Sequence, residues 1–580
     1  MNKKILTAIL ISIALPGSML SAPADSLRLK SYKLDEVVVT GTRNETDIRH
    51  LPMTISVVGR QQLEQTYQPS ILPALTEQVP GLFTTSRGIM GYGVSTGAAG
   101  GMSLRGIGAG VNAAGGPTTS LLVLIDGHPQ YMGLMGHPIA DAYQSMMAER
   151  VEVLRGPASV LYGSNAMGGV INIVTRKMQE DGVKTNAQIG YGSYNTLQTE
   201  VSNRVRKGRF SSVVTGSYNR TDGHRDDMEF EQYGGYAKLG YDFSDTWKLW
   251  GDVNITRFNA SNPGEADNPY IDNDSRITRG MTSFALENRY DRTSGAVSFF
   301  YNWGRHRIND GYHPGGEPQK SHFNSKDRML GISWYQSATL FTGNRLTVGF
   351  DYQHFGGESW NKVVAIDEAK PGQQIGDRIP GVDKQMDEFA GYVDFRQDIN
   401  SWLSLDAGVR IDHHSHVGTE WIPQGGLAFH LPRQAELKAM VSKGFRNPTI
   451  REMYMFPPQN PDLKAESLMN YELSFTGQLL GGAMSYGVNL YYINGDNIIM
   501  TDPALRKNVN SGEIENWGVE TNLGYRINRH WQMNANYSWL HMENPVLAAP
   551  EHKLYAGTDL HKTLELVYRY TIREGSPYLG

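Results

Sequence analysis

The chain has 580 residues, among them 64 Gly, 30 Tyr, 10 Trp and no Cys. The missing cysteine excludes a disulfide scaffold, and a formal net charge of -5 leaves no basic footprint for nucleic acid. Mean hydropathy of -0.42 fits a soluble protein, and it equally fits a membrane β-barrel in which apolar and polar residues alternate along each strand. The first element is an export signal over residues 1–24. Lys3 and Lys4 precede an apolar stretch, Ile5 to Leu20, broken by Pro16 and Gly17, and Ala22 and Ala24 supply the small residues of a cleavage site. No other apolar run approaches the roughly 20 residues of a membrane-spanning helix.

Residues 25–48 follow, with Asp35, Glu36, Val37, Val38, Val39 and Thr40 forming a short β-prone run. Such a run can add a strand to a partner's sheet edge, and it can equally be an ordinary edge strand. Residues 49–180 carry a series of short elements. Pro73 to Leu82 reads as a helix ended by Pro80-Gly81. Ser103 to Gly108 and Val123 to His128 each read as an apolar strand with a turn. Glu149 to Thr175 reads as a strand, a Gly-Pro turn, one helical turn, a Gly-Gly turn and a second strand. Gly106, Gly108 and Gly110 lack the third-glycine spacing of a dinucleotide fingerprint.

From residue 183 to 580, segments of alternating apolar and polar residues recur, and about 19 can be counted. Tyr236 to Phe243, Ala296 to Trp303 and Met533 to Trp539 are clear cases. Gaps between segments alternate between short, as at 244–247 and 341–344, and long, as at 261–275, 309–326, 357–385 and 446–466. Short turns on one side and long loops on the other distinguish an outer-membrane barrel from a soluble propeller or solenoid.

Taken in order, these motifs resemble those of the TonB-dependent outer-membrane receptors, and the resemblance covers nearly the whole mature chain. It implies an all-β transmembrane barrel filled by an N-terminal α+β plug domain. Asp35 to Thr40 would be the TonB box, and Arg105, Arg150 and Arg155 would pair with acidic groups on the barrel wall. Phe445-Arg446-Asn447-Pro448 and Asn460 to Glu466 resemble the family's FRAP and NPNL motifs. The intervening stretch lacks the histidine of the haem-receptor branch. Family barrels have roughly 22 strands and close on a strand ending in an aromatic residue. Against that pattern this barrel sequence is expected to be C-terminally truncated or frame-shifted near residue 562. The expected partners are TonB with its inner-membrane energising complex and outer-membrane lipid, and a surface lipoprotein is left open. The expected place is the outer membrane of a Gram-negative bacterium.

The ligand is expected to be haem or another iron complex, with copper or cobalamin next. A surface adhesin without transport is the reading from another class. Met132, Met135 and His137 stand in one glycine-rich stretch, and they suit a soft metal, an apolar ligand such as a porphyrin, or plain gap-filling. His306, His313 and His322 are assigned to one outer loop, and His413, His414 and His416 to another, where they could ligate haem iron or be merely polar. Glu265, Asp267, Asp272 and Asp274 are assigned to a third, either as a structural calcium loop or as a solvated acidic loop. No cofactor is required. No Walker loop or HExxH is present, so an enzyme is not expected.

Overall fold

The computed structural model describes residues 51–66, 69–85, 90–92, 101–108, 118–528, 531–543, 550–561 and 567–574, with two short backbone stretches at 38–39 and 46–47. The export signal and Asp35, Glu36, Val37 and Thr40 of the box-like run lie outside the described residues. Val38 and Val39 form β1 (Val38–Val39), paired antiparallel with β2 (Thr46–Asp47).

The plug is built on a buried mixed sheet of order β3-β9-β10-β7-β8. Its strands are β3 (Thr54–Gly59), β7 (Leu121–Ile125), β8 (His128–Pro129), β9 (Ala148–Arg155) and β10 (Gly169–Thr175). β7 and β10 run parallel, and the other pairs are antiparallel. All residues of β7 and β10 are buried, which is why these strands read as apolar runs without alternation. Two helices, α1 (Arg60–Gln65) and α2 (Leu72–Gln78), precede a small sheet of β4 (Leu82–Thr84), β5 (Met102–Leu104) and β6 (Ile107–Gly108). Between β9 and β10 lies the expected single helical turn, α3 (Ser159–Tyr162).

The barrel sheet has 19 strands in chain order, from β11 (Gly182–Gly192) to β29 (Val567–Glu574). Every neighbouring pair is antiparallel, and among the described residues no ladder joins the first strand to the last. Nearly all of β11 is exposed. Along the other strands the expected period of two holds. On β17 (Thr293–Tyr312), Val297 and Phe299 face outward, while Phe300, Asn302 and His306 are buried toward the lumen. Outward apolar residues such as Ile332, Trp334, Phe350 and Val393 continue the lipid belt around the sheet. No helix among the described residues is long and apolar enough to cross a membrane.

Turns at 208–209, 243–246, 290–292 and 401–402 mark one rim, and the loops 262–270, 313–320, 364–377 and 447–465 mark the other. By the asymmetry of such barrels the second rim faces outside. The loops are shorter than the sequence gaps because the strands run on beyond the bilayer. β19 (Asn344–Val363) has 20 residues and β20 (Arg378–Asn400) has 23, against the roughly 9–11 that span a membrane. The assignment of His306, His322, His413, His414, Asp272 and Asp274 to loops is therefore corrected: all six lie on barrel strands.

Candidate functional site

Between β8 and β9 the plug sends the segment 131–137 to its outer end. Tyr131 donates from its hydroxyl to Gln353 Oε1 at 2.8 Å, and the Gly133 N–H donates to Asp327 Oδ2 at 3.0 Å. A Cβ at Gly133 would stand 2.5 Å from the Arg328 carbonyl, so only glycine lets this loop lie flat against the wall. Gly136 has φ of +73° and abuts Thr449 of the outer loop 447–465, a conformation and a contact that both require glycine. The Tyr-Met-Gly-Leu-Met-Gly-His stretch is thus shaped by its glycines to dock under an outer loop.

The soft side chains do not converge. Met132 is fully buried, and only Met135 is partly exposed. The His137 imidazole is buried with Nδ1 2.9 Å from the Pro138 carbonyl, and burial pushes it down to about 4. A neutral imidazole is the form this site holds. Below the loop the wall presents a buried cluster. The Arg279 guanidinium donates to Asp327 at 2.6 Å and lies 3.4 Å from His306 Nε2. His306 thus belongs to the wall that seats the loop.

The remaining histidines are dispersed. His313 stacks on Tyr270 with ring centres 4.1 Å apart. His413 faces outward against Thr419, whereas His414 points inward, and its Nδ1 accepts the backbone N–H groups of His416 and Val417. Successive residues on a strand face opposite ways, so the His413-His414 pair cannot grip one ligand. His416 lies against Tyr454 and the Pro461 carbonyl.

The four carboxylates are likewise not gathered into one loop. Glu265 and Asp267 sit in 262–270, while Asp272 and Asp274 lie on β16 (Ile271–Arg289), where Asp274 faces Arg276 and Arg307. Among the described residues no group of three such side chains could hold a metal ion. That corrects the calcium-loop assignment.

The plug arginines divide. Arg105 is fully buried; it donates to Glu472 at 2.9 Å and to Glu520 at 3.0 and 3.1 Å, and its guanidinium lies 4.5 Å from the centre of the Tyr491 ring. Arg155 donates to Glu520 at 2.6 Å. Both acids stand on lumen-facing positions of β24 (Glu466–Leu479) and β26 (Lys507–Arg526). Arg150 does otherwise: it pairs with Glu152 of its own strand at 2.7 Å, because the two lie on one face two residues apart. A further anchor escaped the sequence reading. Asp126, in the turn after β7, meets Lys238 of β14 (Phe230–Asp242) at 2.5 Å, and Lys238 lies over Trp250.

Above the plug, the two outer-loop motifs form one buried lock. Arg446 donates to Glu466 at 2.7 and 2.8 Å and to Glu452 at 2.8 and 3.0 Å. Glu452 also closes a capping box with Thr449 at the start of α4 (Ile450–Tyr454). Phe445 and Asn447 donate their N–H groups to Ser159 and Ser164 of the plug. The next residue in α4, Arg451, is different. Among the described residues its guanidinium has neither an ion pair nor a hydrogen bond, and its positive charge bears on His137. Lys384 stands 4.8 Å over the Tyr454 ring on the same helix.

The comparisons with known proteins agree with this architecture. Residues 47–170 match the TonB-dependent Receptor Plug Domain, and residues 184–578 match the TonB dependent receptor-like, beta-barrel family. The chain is 28% identical to the iron-regulated outer membrane virulence protein of Vibrio cholerae serotype O1, covering 94% of this chain and 85% of that one. It is 24% identical to the vitamin B12 transporter BtuB of Photobacterium profundum, covering 90% and 80%. The siderophore receptor PiuA from Acinetobacter baumannii superposes with a TM-score of 0.76 at 14% identity, over 93% of this chain and 88% of that one. The ferric yersiniabactin uptake receptor FyuA from Yersinia pestis gives 0.69 at 16% identity, over 88% and 83%. A plug pinned to the lumen by buried arginines, inside a strand-crossed outer-membrane wall, and matched along nearly its whole length, places this chain in the TonB-dependent receptor family.

Proposed function

We propose that the chain imports an anionic iron chelate, haem or a ferric siderophore, across the outer membrane, driven by TonB. The observation that carries this reading is Arg451, a half-buried guanidinium with neither an ion pair nor a hydrogen bond among the described residues, placed over the plug apex beside His137. A desolvated cation without a partner is costly, and a bound carboxylate, phenolate or propionate would supply one. Haem and ferric siderophores carry such groups. The periphery of a corrinoid is mainly carboxamide, which favours an iron chelate over cobalamin. A bare copper ion fits less well, since Met132 is buried away from the mouth and His137 is engaged by Pro138. The names of relatives and structural neighbours, an iron-regulated protein and siderophore receptors, support the same choice.

In this reading the ligand touches Arg451 and Tyr454 on α4 and the Met135 side of the apex loop. Movement of that loop passes through β8 and β7 to the plug sheet, whose edge strand β3 leads back to the box-like run. The test is a binding panel on the purified receptor with haemin, a ferric catecholate, a ferric hydroxamate, cyanocobalamin and Cu(I). An iron chelate should bind tightest. Arg451→Gln should weaken it by roughly tenfold to a hundredfold, the worth of a hydrogen bond to a charged group. Tightest binding of cobalamin or Cu(I), or an unchanged panel in Arg451→Gln, would overturn the proposal.

A further inference from the structure

Outside the barrel, on the arc formed by β15 (Trp247–Ser261), β16, β17 and β18 (Ser321–Ala338), cations crowd a level where lipid gives way to water. Along β17 the outward residues run Val297, Phe299, Tyr301, Trp303, Arg305, Arg307 from the belt toward the outer rim. Tryptophan and tyrosine mark the interface of such barrels, so Arg305 begins one outward position above it. Cross-strand register sets Arg305 directly opposite Lys326, Arg307 directly opposite Arg276, and Trp303 opposite Arg328. Arg257 occupies the same row on β15, one strand beyond Thr278.

Like charges directly opposite one another destabilise a sheet, and protein carboxylates meet these only near the outer limit of ion-pair distance. Asp274 lies 3.6 Å from Arg276 and 3.9 Å from Arg307, and Glu358 lies 3.6 Å from Lys326. The side chains of Arg276 and Lys326 remain 59% and 45% exposed, and ion pairs so exposed contribute little. Elsewhere on the barrel the same level has the opposite sign. On β26, the outward positions above Trp517 are Glu515 and Glu513.

We infer that this arc is a binding site for phosphate groups of outer-leaflet lipid. The chemistry fits on three counts. Guanidinium groups bind phosphate oxygens bidentately. A phosphate between opposed strands would turn two repulsive pairs into bridged ones. The cations also continue directly from the lipid-facing belt, at the height of a headgroup. A lipid held there would fix the rotational setting of the receptor against its annulus on the side where the tall β16–β20 wall rises. The inference is independent of what the receptor imports.

The experiment uses the full receptor in detergent with lipid A bearing two phosphates, the same lipid A after enzymatic removal of the phosphates, and inorganic phosphate as competitor. Native mass spectrometry and a fluorescent-lipid titration read the binding. The wild type should hold the phosphorylated lipid and lose it as salt is raised. The combined substitution Arg276→Gln, Arg305→Gln and Arg307→Gln should weaken binding on the order of a hundredfold, since each basic residue at a charged lipid surface counts for roughly fivefold. Arg209→Gln, in a periplasmic turn, should leave binding unchanged. The single Arg305→Gln, with an expected loss of roughly fivefold, tests the site should the triple variant insert poorly. Equal retention of the dephosphorylated lipid, or unchanged affinity in both the single and the triple variant, would overturn the inference. So would inorganic phosphate competing as strongly as the lipid.

Discussion

Substituting Glu520→Gln should loosen the plug far more than its size suggests. Glu520 accepts from both Arg105 and Arg155 and from Asn489, and every one of these groups is buried. The wild-type cluster balances two guanidinium groups against Glu472 and Glu520. The variant keeps both cations and one carboxylate, so one positive charge is left in the lumen without compensation. Removing one partner of a buried pair costs about 3–5 kcal/mol, which multiplies the plug-opening equilibrium by roughly 10² to 5 × 10³. The assay is hydrogen exchange of the amides of β5 and β6, read beside susceptibility of cells to a bulky antibiotic that an intact plug excludes. A second variant checks the cause. In Glu520→Gln with Arg155→Met the charges balance again, through Arg105 and Glu472. The double variant should therefore open less than the sum of the two singles predicts, by at least 1 kcal/mol or so, as coupled neighbours do. An opening constant within about threefold of wild type for Glu520→Gln, or strict additivity in the cycle, would refute the idea that charge balance holds the plug.

Three further outcomes follow from the same geometry. Asp126→Asn leaves Lys238 buried without its counter-charge and should raise exchange in β7 by about 3 kcal/mol, with Lys238→Met as the restoring change. Val38→Pro removes a backbone donor from the short β-prone run; surface binding of ligand should persist while uptake ceases, and uptake at the wild-type rate would remove the coupling role proposed for that run. His137 is held neutral down to about 4 against an unfolded value near 6.5. Because its folded value is depressed, the unfolded loop binds more protons in that window, and the docking of 131–137 should weaken as pH falls from about 6.5 toward 4. The charges facing it are Arg451, Arg279 and Asp327. His137→Gln should flatten the pH dependence of exchange at Leu134 and Met135, and an unchanged profile would remove His137 as its source.

How much of this was legible in the sequence depended on whether a signal is local. Strand number was legible, because an alternating strand in lipid must show an apolar face. Strand ends were not. Once β16 and β18 rise above the bilayer, both faces meet water, alternation fades, and Asp272, Asp274 and His322 look like loop residues while the ladder continues past them. The box-like run and the plug motifs were legible as short strings. Arg105 and Arg155 were placed correctly by motif, yet Arg150 was not, since the string cannot say that Glu152 would take it first. The wall acids Glu472 and Glu520 had no signature beyond being polar on an inward position.

Arg451 shows why the proposed ligand site resists reading altogether. The capping box and the Arg446 lock are made from residues within one loop, so a pattern of Thr449, Glu452 and Glu466 around Arg446 could have suggested them. The quality that singles out Arg451 is that its guanidinium has no ion pair or hydrogen bond among the described residues, and absence has no sequence pattern. It emerges only when every nearby carboxylate is accounted for. Glu452 and Glu466 are taken by Arg446, and Asp327 is taken by Arg279 and the Gly133 N–H. Glu452, the acid whose charge bears on Arg451, is already spent on holding the loop in place. The same contacts that build the outer wall therefore leave one cation over, at the place where the proposed ligand would meet the plug. In the proposed reading, structure and selectivity share a single charge inventory, and a substitution such as Glu452→Gln, which leaves Arg446 with Glu466 alone, should disturb both together.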